Sequence, residues 1–373
     1  MTIENTLAKL VSINSVSSAS NTEIIEHLAS RVESLGLSVK LLPYTDERGI
    51  EKVNMIAVAG TEAEEVELAL VGHTDTVPFD SAWTEALRLT EREGKLYGRG
   101  ACDTKGFIAA ALTAIEETDL SRLKRPLALV FTADEEIGCL GAKRLADARA
   151  LRARYSIVGE PTSLQPMRAG KGYCLAEITL RGREGHSAYP ALGASAIFRA
   201  ARLVARIEML AEQLKEDERA AFEPPYTTLN VGLINGGTAK NIIAGECRFT
   251  LEWRPVPGQK PEHLLNLVGA AIEDEKGRDA DFDCSLDVIR LDEGMETRED
   301  SVLVRLLVEE TGRDAGTIAF GTEAPQMIEL GAEAVVFGPG NIRVAHRTNE
   351  FVPAAELREC ARVLSRAIEH FCM

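Results

Sequence analysis

Residues 127–131, Leu-Ala-Leu-Val-Phe, offer no side chain suited to face water, and residues 66–71 are nearly as apolar. Runs this short and this apolar, bounded by turn-forming residues, predict strands buried on both faces. A strand covered on both sides belongs to a sheet flanked by helices, the usual setting of parallel strands. Residues 37–41, 55–58 and 156–158 read the same way. Ile24, Leu28, Val32 and Leu35 recur at helical spacing between Ser20-Asn21 and Gly36, and residues 106–117 predict another helix. Strand and helix alternate, so the chain predicts an α/β fold with a helix-flanked, mixed but largely parallel sheet. Ligands of such sheets bind just beyond the strand ends.

The pattern changes at residue 173. Residues 173–181 alternate like a half-exposed strand, 194–214 predict a long helix, 227–234 and 246–253 two strands, 261–276 a helix and 282–288 a last strand. The order βαββαβ is that of a ferredoxin-like split motif. Residues 302–310, 334–337 and 354–371 resume the earlier style. The expectation is a domain at 173–289 inserted between two parts of another, 1–172 and 290–373.

Charge and composition narrow the partners. The 42 basic and 58 acidic side chains give a formal charge of −16 over 373 residues. Binding to nucleic acid or anionic membranes is driven by clustered Lys and Arg, so neither is expected as a partner. At this length a core forms without disulfides. The seven cysteines are odd in number and show no CxxC spacing, which predicts reduced thiols, most of them in the core. Residues 1–5 carry no basic region followed by an apolar core, and no run approaches the roughly 18 apolar residues of a membrane span, so the expectation is a cytoplasmic protein.

The chemistry-bearing residues fall where strands end. His73 follows the run 66–71 in Gly72-His73-Thr74-Asp75, where strand alternation puts His73 and Asp75 on one side. Asp103 lies in the glycine-rich stretch 98–106, just ahead of a helix, where a cap would be its ordinary role. Asp134, Glu135 and Glu136 follow the run 127–131 directly, Glu160 follows 156–158, and His346 lies in the loop after 334–337. Acids crowded at a strand end repel one another, and a cation relieves that repulsion. Nitrogen and oxygen donors without cysteine suit a catalytic zinc site with open positions, and this set suffices for two metals sharing a carboxylate. Paired metals polarise a carbonyl and acidify water, which makes hydrolysis possible near neutral pH, provided one carboxylate stays free to take the proton. A rival reading makes Cys102 a nucleophile with His73 or His346 as its base, but it leaves the acids unexplained. His27, His263 and His370 sit in amphipathic helices among charged neighbours and are expected on solvated faces.

In order along the chain, GHTDTVP, YGRGACDTKG, TADEEIG, GEPT, the GHSAYP segment at 185–190 and the late His346 resemble the dinuclear zinc amidohydrolases and exopeptidases. This family includes acetylornithine deacetylase, succinyl-diaminopimelate desuccinylase, aminoacylase and glutamate carboxypeptidase. The resemblance implies two zinc ions per subunit, with cobalt able to substitute, one held by His73, Asp103 and Glu160 and the other by Asp103, Glu136 and His346. It further implies that Asp75 orients His73, that Glu135 is the general base, and that the inserted domain forms a homodimer. His186 would then reach the partner subunit's site and stabilise the oxyanion. Asn241 and Arg254 match positions that hold a substrate carboxylate, and Lys171, Gly321, Thr322 and Glu323 fall in matching substrate segments. Gly321-Thr322-Glu323-Ala324-Pro325 and Gly338-Pro339-Gly340 look most like the acetylornithine deacetylase branch, which implies hydrolysis of N-acetyl-L-ornithine to ornithine and acetate in arginine biosynthesis. In that branch Glu323 could pair with the substrate ammonium. Arg347-Thr348-Asn349-Glu350 and Gly170 depart from the branch pattern, which leaves open acetylcitrulline, succinyl-diaminopimelate or another N-acyl amino acid, and a dipeptidase or aminopeptidase on the same site.

Overall fold

The computed structural model describes residues 1–60, 65–279 and 281–373. They divide into two compact units, one formed by 1–168, 297–316 and 322–373, the other by 169–296 and 317–321. No helix among the described residues is long and apolar enough to cross a membrane.

The first unit is built on the strands Ser38–Thr45, Glu51–Ala59, Leu127–Thr132, Val66–His73, Ala153–Val158 and Glu333–Val336, in that spatial order. The first two pairings are antiparallel and the last three parallel. Leu127, Leu129 and Phe131 enter one core cluster, while Ala128 and Val130, on the opposite face, are just as inaccessible. Helices Ile3–Ser12, Lys105–Glu117 and Ala354–Cys372 pack together, and Leu140–Asp147 packs on Ala324–Glu329. Phe107 of Lys105–Glu117 comes so close to a strand end that a Cβ on Gly159 would lie 2.2 Å from its ring, so only glycine fits there.

One strand differs from its sequence reading. Residues 37–41 read as a buried run, but Ser38–Thr45 is the sheet edge, with alternate side chains exposed, Leu41 among them. Pro43 suits that place, because an edge strand does not need every N–H. His27, expected on a solvated face, is half-buried with its Nε2 shielded from water, whereas His263 and His370 are exposed. The cysteines form no disulfide among the described residues, and all but the half-buried Cys284 are buried.

The second unit holds a four-stranded antiparallel sheet in the order Thr228–Gly236, Glu246–Arg254, Tyr173–Arg181, Asp283–Asp292. Helices Ala196–Gln213 and Glu262–Arg278 share one apolar core with it. The two helices are also joined by ion pairs from Arg202 and Arg206 to Glu275 and Asp274.

A buried ion pair anchors the end of the central strand Leu127–Thr132. Lys52 Nζ lies 2.6 Å from Asp134 Oδ1, with both side chains fully inaccessible, and also donates to the Ser17 carbonyl at 2.8 Å. Tyr44 Oη donates to the other Asp134 oxygen at 2.9 Å. Removing one partner strands the other charge in the interior. Lys52→Met should therefore cost about 3–5 kcal/mol of stability, measured by denaturant unfolding of the metal-free protein; a loss within experimental error would refute this role.

Candidate metal centre

Parallel pairing puts the strand ends at one level. Val71 lies opposite both Val130 and Val158, and Val158 opposite Val336. The residues that follow, His73, Glu135 and Glu136, Glu160, and the loop leading to His346, therefore emerge side by side. Asp103 enters from the turn before helix Lys105–Glu117, where Thr104 Oγ1 donates to the His73 carbonyl at 3.1 Å.

Two donor sets result, His73 with Asp103 and Glu160, and Asp103 with Glu136 and His346, each with its ligand atoms within 4.8 Å of one another. Asp103 belongs to both: Oδ1 lies 3.1 Å from His73 Nε2 and Oδ2 3.2 Å from His346 Nε2. His346 also lies 3.1 Å from Glu136 Oε2. The other Glu136 oxygen is buried with no hydrogen-bond partner among the described residues. Glu135 is in neither set, although Oε2 stands 4.0 Å from His73 Nε2 and Oε1 accepts from Cys139 Sγ at 3.4 Å.

Electrostatics show what the site lacks. Burial raises Glu135 to about 8; the nearby His73 opposes the rise, while Glu136, Glu323 and Asp103 reinforce it. Burial also raises Glu136 and lifts Glu160 well above the carboxylate range. Hydrogen bonding to Asp103 and Glu136 raises His346 to about 10. Four carboxylates thus share two imidazoles in a desolvated pocket, and the unpartnered Glu136 oxygen points to positive charge from outside the chain. Divalent cations fit this need: oxygen and nitrogen donors bind zinc at about 2.0–2.2 Å, so donors this close can share an ion.

Several residues sit differently from expectation. The nearest contact of His73 Nδ1 is the Asp75 carbonyl oxygen at 3.0 Å, while the Asp75 carboxylate lies 3.6 Å away. That carboxylate accepts from the Glu135 and Glu136 amides at 3.1 and 3.3 Å and from Ser17 Oγ at 2.7 Å, so it fixes the acidic loop. Lys171 is 3% exposed, and its ammonium donates two of its three N–H bonds to the carbonyls of Pro224 and Tyr226 at 2.7 Å each. Thr322 is buried and its hydroxyl accepts from Ala324 N at the start of a short helix. Glu323 is 1% exposed and raised to about 7 by burial, so it is an interior group.

The remaining substrate candidates lie in the second unit. His186 is exposed on a two-residue strand paired with Ile242–Ile243, beside Asn241, whose carbonyl accepts from Ser187 N. Arg254 donates to Glu252 and to the Ala319 carbonyl and lies over the Tyr173 ring at 4.5 Å. Gly321 closes the segment 317–321 in the same unit.

Sequence reasoning missed Glu350, Arg99 and Lys52, which hold the ligand-bearing loops. Only the rarity of buried charge could have flagged them, and burial was not readable at those positions.

A sheet whose parallel strands end in two overlapping oxygen and nitrogen donor sets defines a class of metal-dependent hydrolases. Residues 69–370 match the model of peptidase family M20/M25/M40, and the chain belongs to this family. It is 55% identical over 370 residues to the acetylornithine deacetylase of Myxococcus xanthus, covering 98% of this chain and 97% of that one. It is 38% identical to the acetylornithine deacetylase of Proteus mirabilis, covering 95% and 91%. Among solved structures, a tripeptidase from Staphylococcus aureus superposes with a TM-score of 0.80 at 24% identity, covering 99% of this chain and 97% of that one. A metallo-carboxypeptidase of family M20 from Sulfolobus solfataricus gives 0.76 at 20% identity, covering 100% and 99%. The chain is accordingly a metal-dependent hydrolase of amide bonds.

Cys102 is a poor nucleophile here. Burial holds its thiol well above the usual range, reinforced by Glu350 and Asp103, and Sγ faces the Asn341 carbonyl. Cys102→Ser should leave amide hydrolysis near the parent level. A loss of about 10²-fold or more, the size expected for a removed catalytic group, would reinstate the thiol mechanism.

Proposed function

We propose that this chain removes the acetyl group of N-acetyl-L-ornithine, giving ornithine and acetate, as a metal-dependent deacetylase of arginine biosynthesis. The observation that carries the substrate is the 55% identity, over nearly the whole of both chains, to an acetylornithine deacetylase. His73, Asp103 and Glu160 would hold one zinc ion, and Asp103, Glu136 and His346 a second, with cobalt able to replace zinc. Bound there, the ions supply Lewis-acid polarisation of the amide carbonyl and a lowered pKa for the attacking water.

The side chains do the rest. Glu135 takes the proton from water and returns it to the nitrogen of the leaving amine; its place outside both donor sets keeps it free for that exchange. The backbone carbonyl of Asp75 fixes the His73 ring, which leaves Nε2 for the site. Arg254 and Asn241, with the Gly321 segment, hold the substrate carboxylate, for which a guanidinium fork is suited. His186 donates to the carbonyl oxygen as charge develops there, acting on the site of a second copy of the chain.

A homodimer through the second unit is supported by that unit's own surface. Strand Thr228–Gly236 lies at the sheet edge with Leu233 and Ile234 exposed, and Phe198 on the adjoining helix is 71% exposed. Exposed apolar side chains beside an unpaired edge mark an association surface. Cysteines without disulfides among the described residues agree with work in a reducing compartment such as the cytoplasm.

Two measurements test this reading. Zinc-reconstituted protein should release acetate fastest from acetylornithine in a panel with acetylcitrulline, acetylmethionine and succinyl-diaminopimelate, and chelation should abolish release until zinc or cobalt is restored. Preference for another member would reassign the substrate, and metal-dependent cleavage of dipeptides alone would make the chain a peptidase. Glu135→Ala should lower kcat by about 10²–10⁴-fold with metal content unchanged, and full turnover in that variant would remove Glu135 from its role.

A further inference from the structure

Glu350 is buried, four residues beyond His346 in sequence, and its carboxylate is wholly engaged by the loop that ends in Asp103. One oxygen accepts from Cys102 N at 2.9 Å and from Asp103 N at 3.1 Å; the other accepts from Arg99 Nη1 at 2.5 Å. Its own carbonyl accepts from Gly98 N at 3.1 Å, continuing the pairing of Phe351–Pro353 with Lys95–Tyr97. Arg99 is buried as well, lies over the Trp83 ring at 5.4 Å and reaches the Pro78 carbonyl. Backbone and side chain of one residue thus grip both ends of the segment 98–103.

The grip also ties together the two chain segments that supply Asp103 and His346. At the other end of the His346 segment, the Asn341 carbonyl faces Cys102 Sγ at 3.7 Å, and a Cβ on Gly340 would fall 2.5 Å from that sulfur. Residues 341–350 are therefore pinned against the Asp103 loop at both ends, while His346 between them is half exposed, at 51%. Between these ends the imidazole of His346 stands 3.2 Å from Asp103 and 3.1 Å from Glu136.

We propose that Glu350 is a positioning residue for the donor set Asp103, Glu136 and His346, acting through its carboxylate to lock the Asp103 and His346 loops together. This inference rests on the metal-centre reading above. Chemistry makes the carboxylate specific. The position needs an acceptor facing two amide N–H groups and an acceptor facing a guanidinium. An amide in place of the carboxylate turns one of these into a donor facing a donor, whichever way it is flipped.

The test is zinc titration of metal-free protein by calorimetry, run beside its thermal melting. The parent chain should take up two equivalents. Glu350→Gln should keep the first and bind the second about 10–100-fold more weakly, the effect typical of losing a group that orients a metal ligand, with a cooperative melt retained. Glu350→Asp, which keeps the charge but shortens the reach, should show the same selective weakening, and it decides the matter if Glu350→Gln does not fold. Parent-like binding of both equivalents by a folded variant overturns the inference and leaves the metal centre standing. So does a lowered melting temperature with both affinities unchanged, which would make Glu350 merely structural. A parent chain that binds no zinc overturns the metal-centre reading and this inference together.

Discussion

Repulsion among carboxylates gathered at one edge of a parallel sheet is the constraint on which the first unit is organised. The sheet cannot avoid the crowding, because parallel pairing brings the ends of Leu127–Thr132, Val66–His73 and Ala153–Val158 to one level, and each is followed by ligand-type residues. Burial then removes the solvent that would screen them. Glu135, Glu136 and Glu160 are accordingly all pushed toward the protonated form. Asp103 and Asp75 are held low despite their burial, Asp103 by hydrogen bonds from His346 and His73, Asp75 by His73, Ser17 and the Glu135 amide. Of the two, Asp103 is the one touched by both imidazoles, which suits a group shared between two cations.

Much of this was readable from the sequence because it depends on local pattern. An apolar run such as 127–131 admits few other structures, and acids directly after it must emerge at the strand end. The βαββαβ order likewise followed from alternation between period two and helical period, and the antiparallel sheet of the second unit has the strand order that such a motif produces. What the sequence hid depends on partners far apart along the chain. Glu350 meets Cys102 across 248 positions and Lys52 meets Asp134 across 82, and no periodicity announces such pairings. Lys171 is another such case: resemblance put it in a substrate segment, and its ammonium donates to two carbonyls of a loop more than 50 positions away.

Local backbone conformation was hidden for the same reason. His346 and Asp134 both adopt left-handed φ values, 60° and 58°, where non-glycine residues are uncommon. Such conformations persist only where surrounding contacts over-determine them. Asp134 has those contacts in Lys52 and Tyr44, and the result is a sharp turn that sends Glu135 and Glu136 back over the strand end toward His73 and His346.

Two of the acid-bearing loops are thus backed by a buried basic side chain. Lys52 neutralises Asp134 behind Glu135 and Glu136, and Arg99 neutralises Glu350 behind Asp103. Replacing either pair by apolar groups would relieve desolvation, yet it would also free the loops to relax away from one another and let the inner carboxylates escape into solvent. The outer pairs therefore convert an unfavourable arrangement of inner charges into a persistent one. The scaffold satisfies Asp75, Asp134 and Glu350, which it uses for positioning, and leaves the donor Glu136 with an unpartnered oxygen that a bound cation would complete.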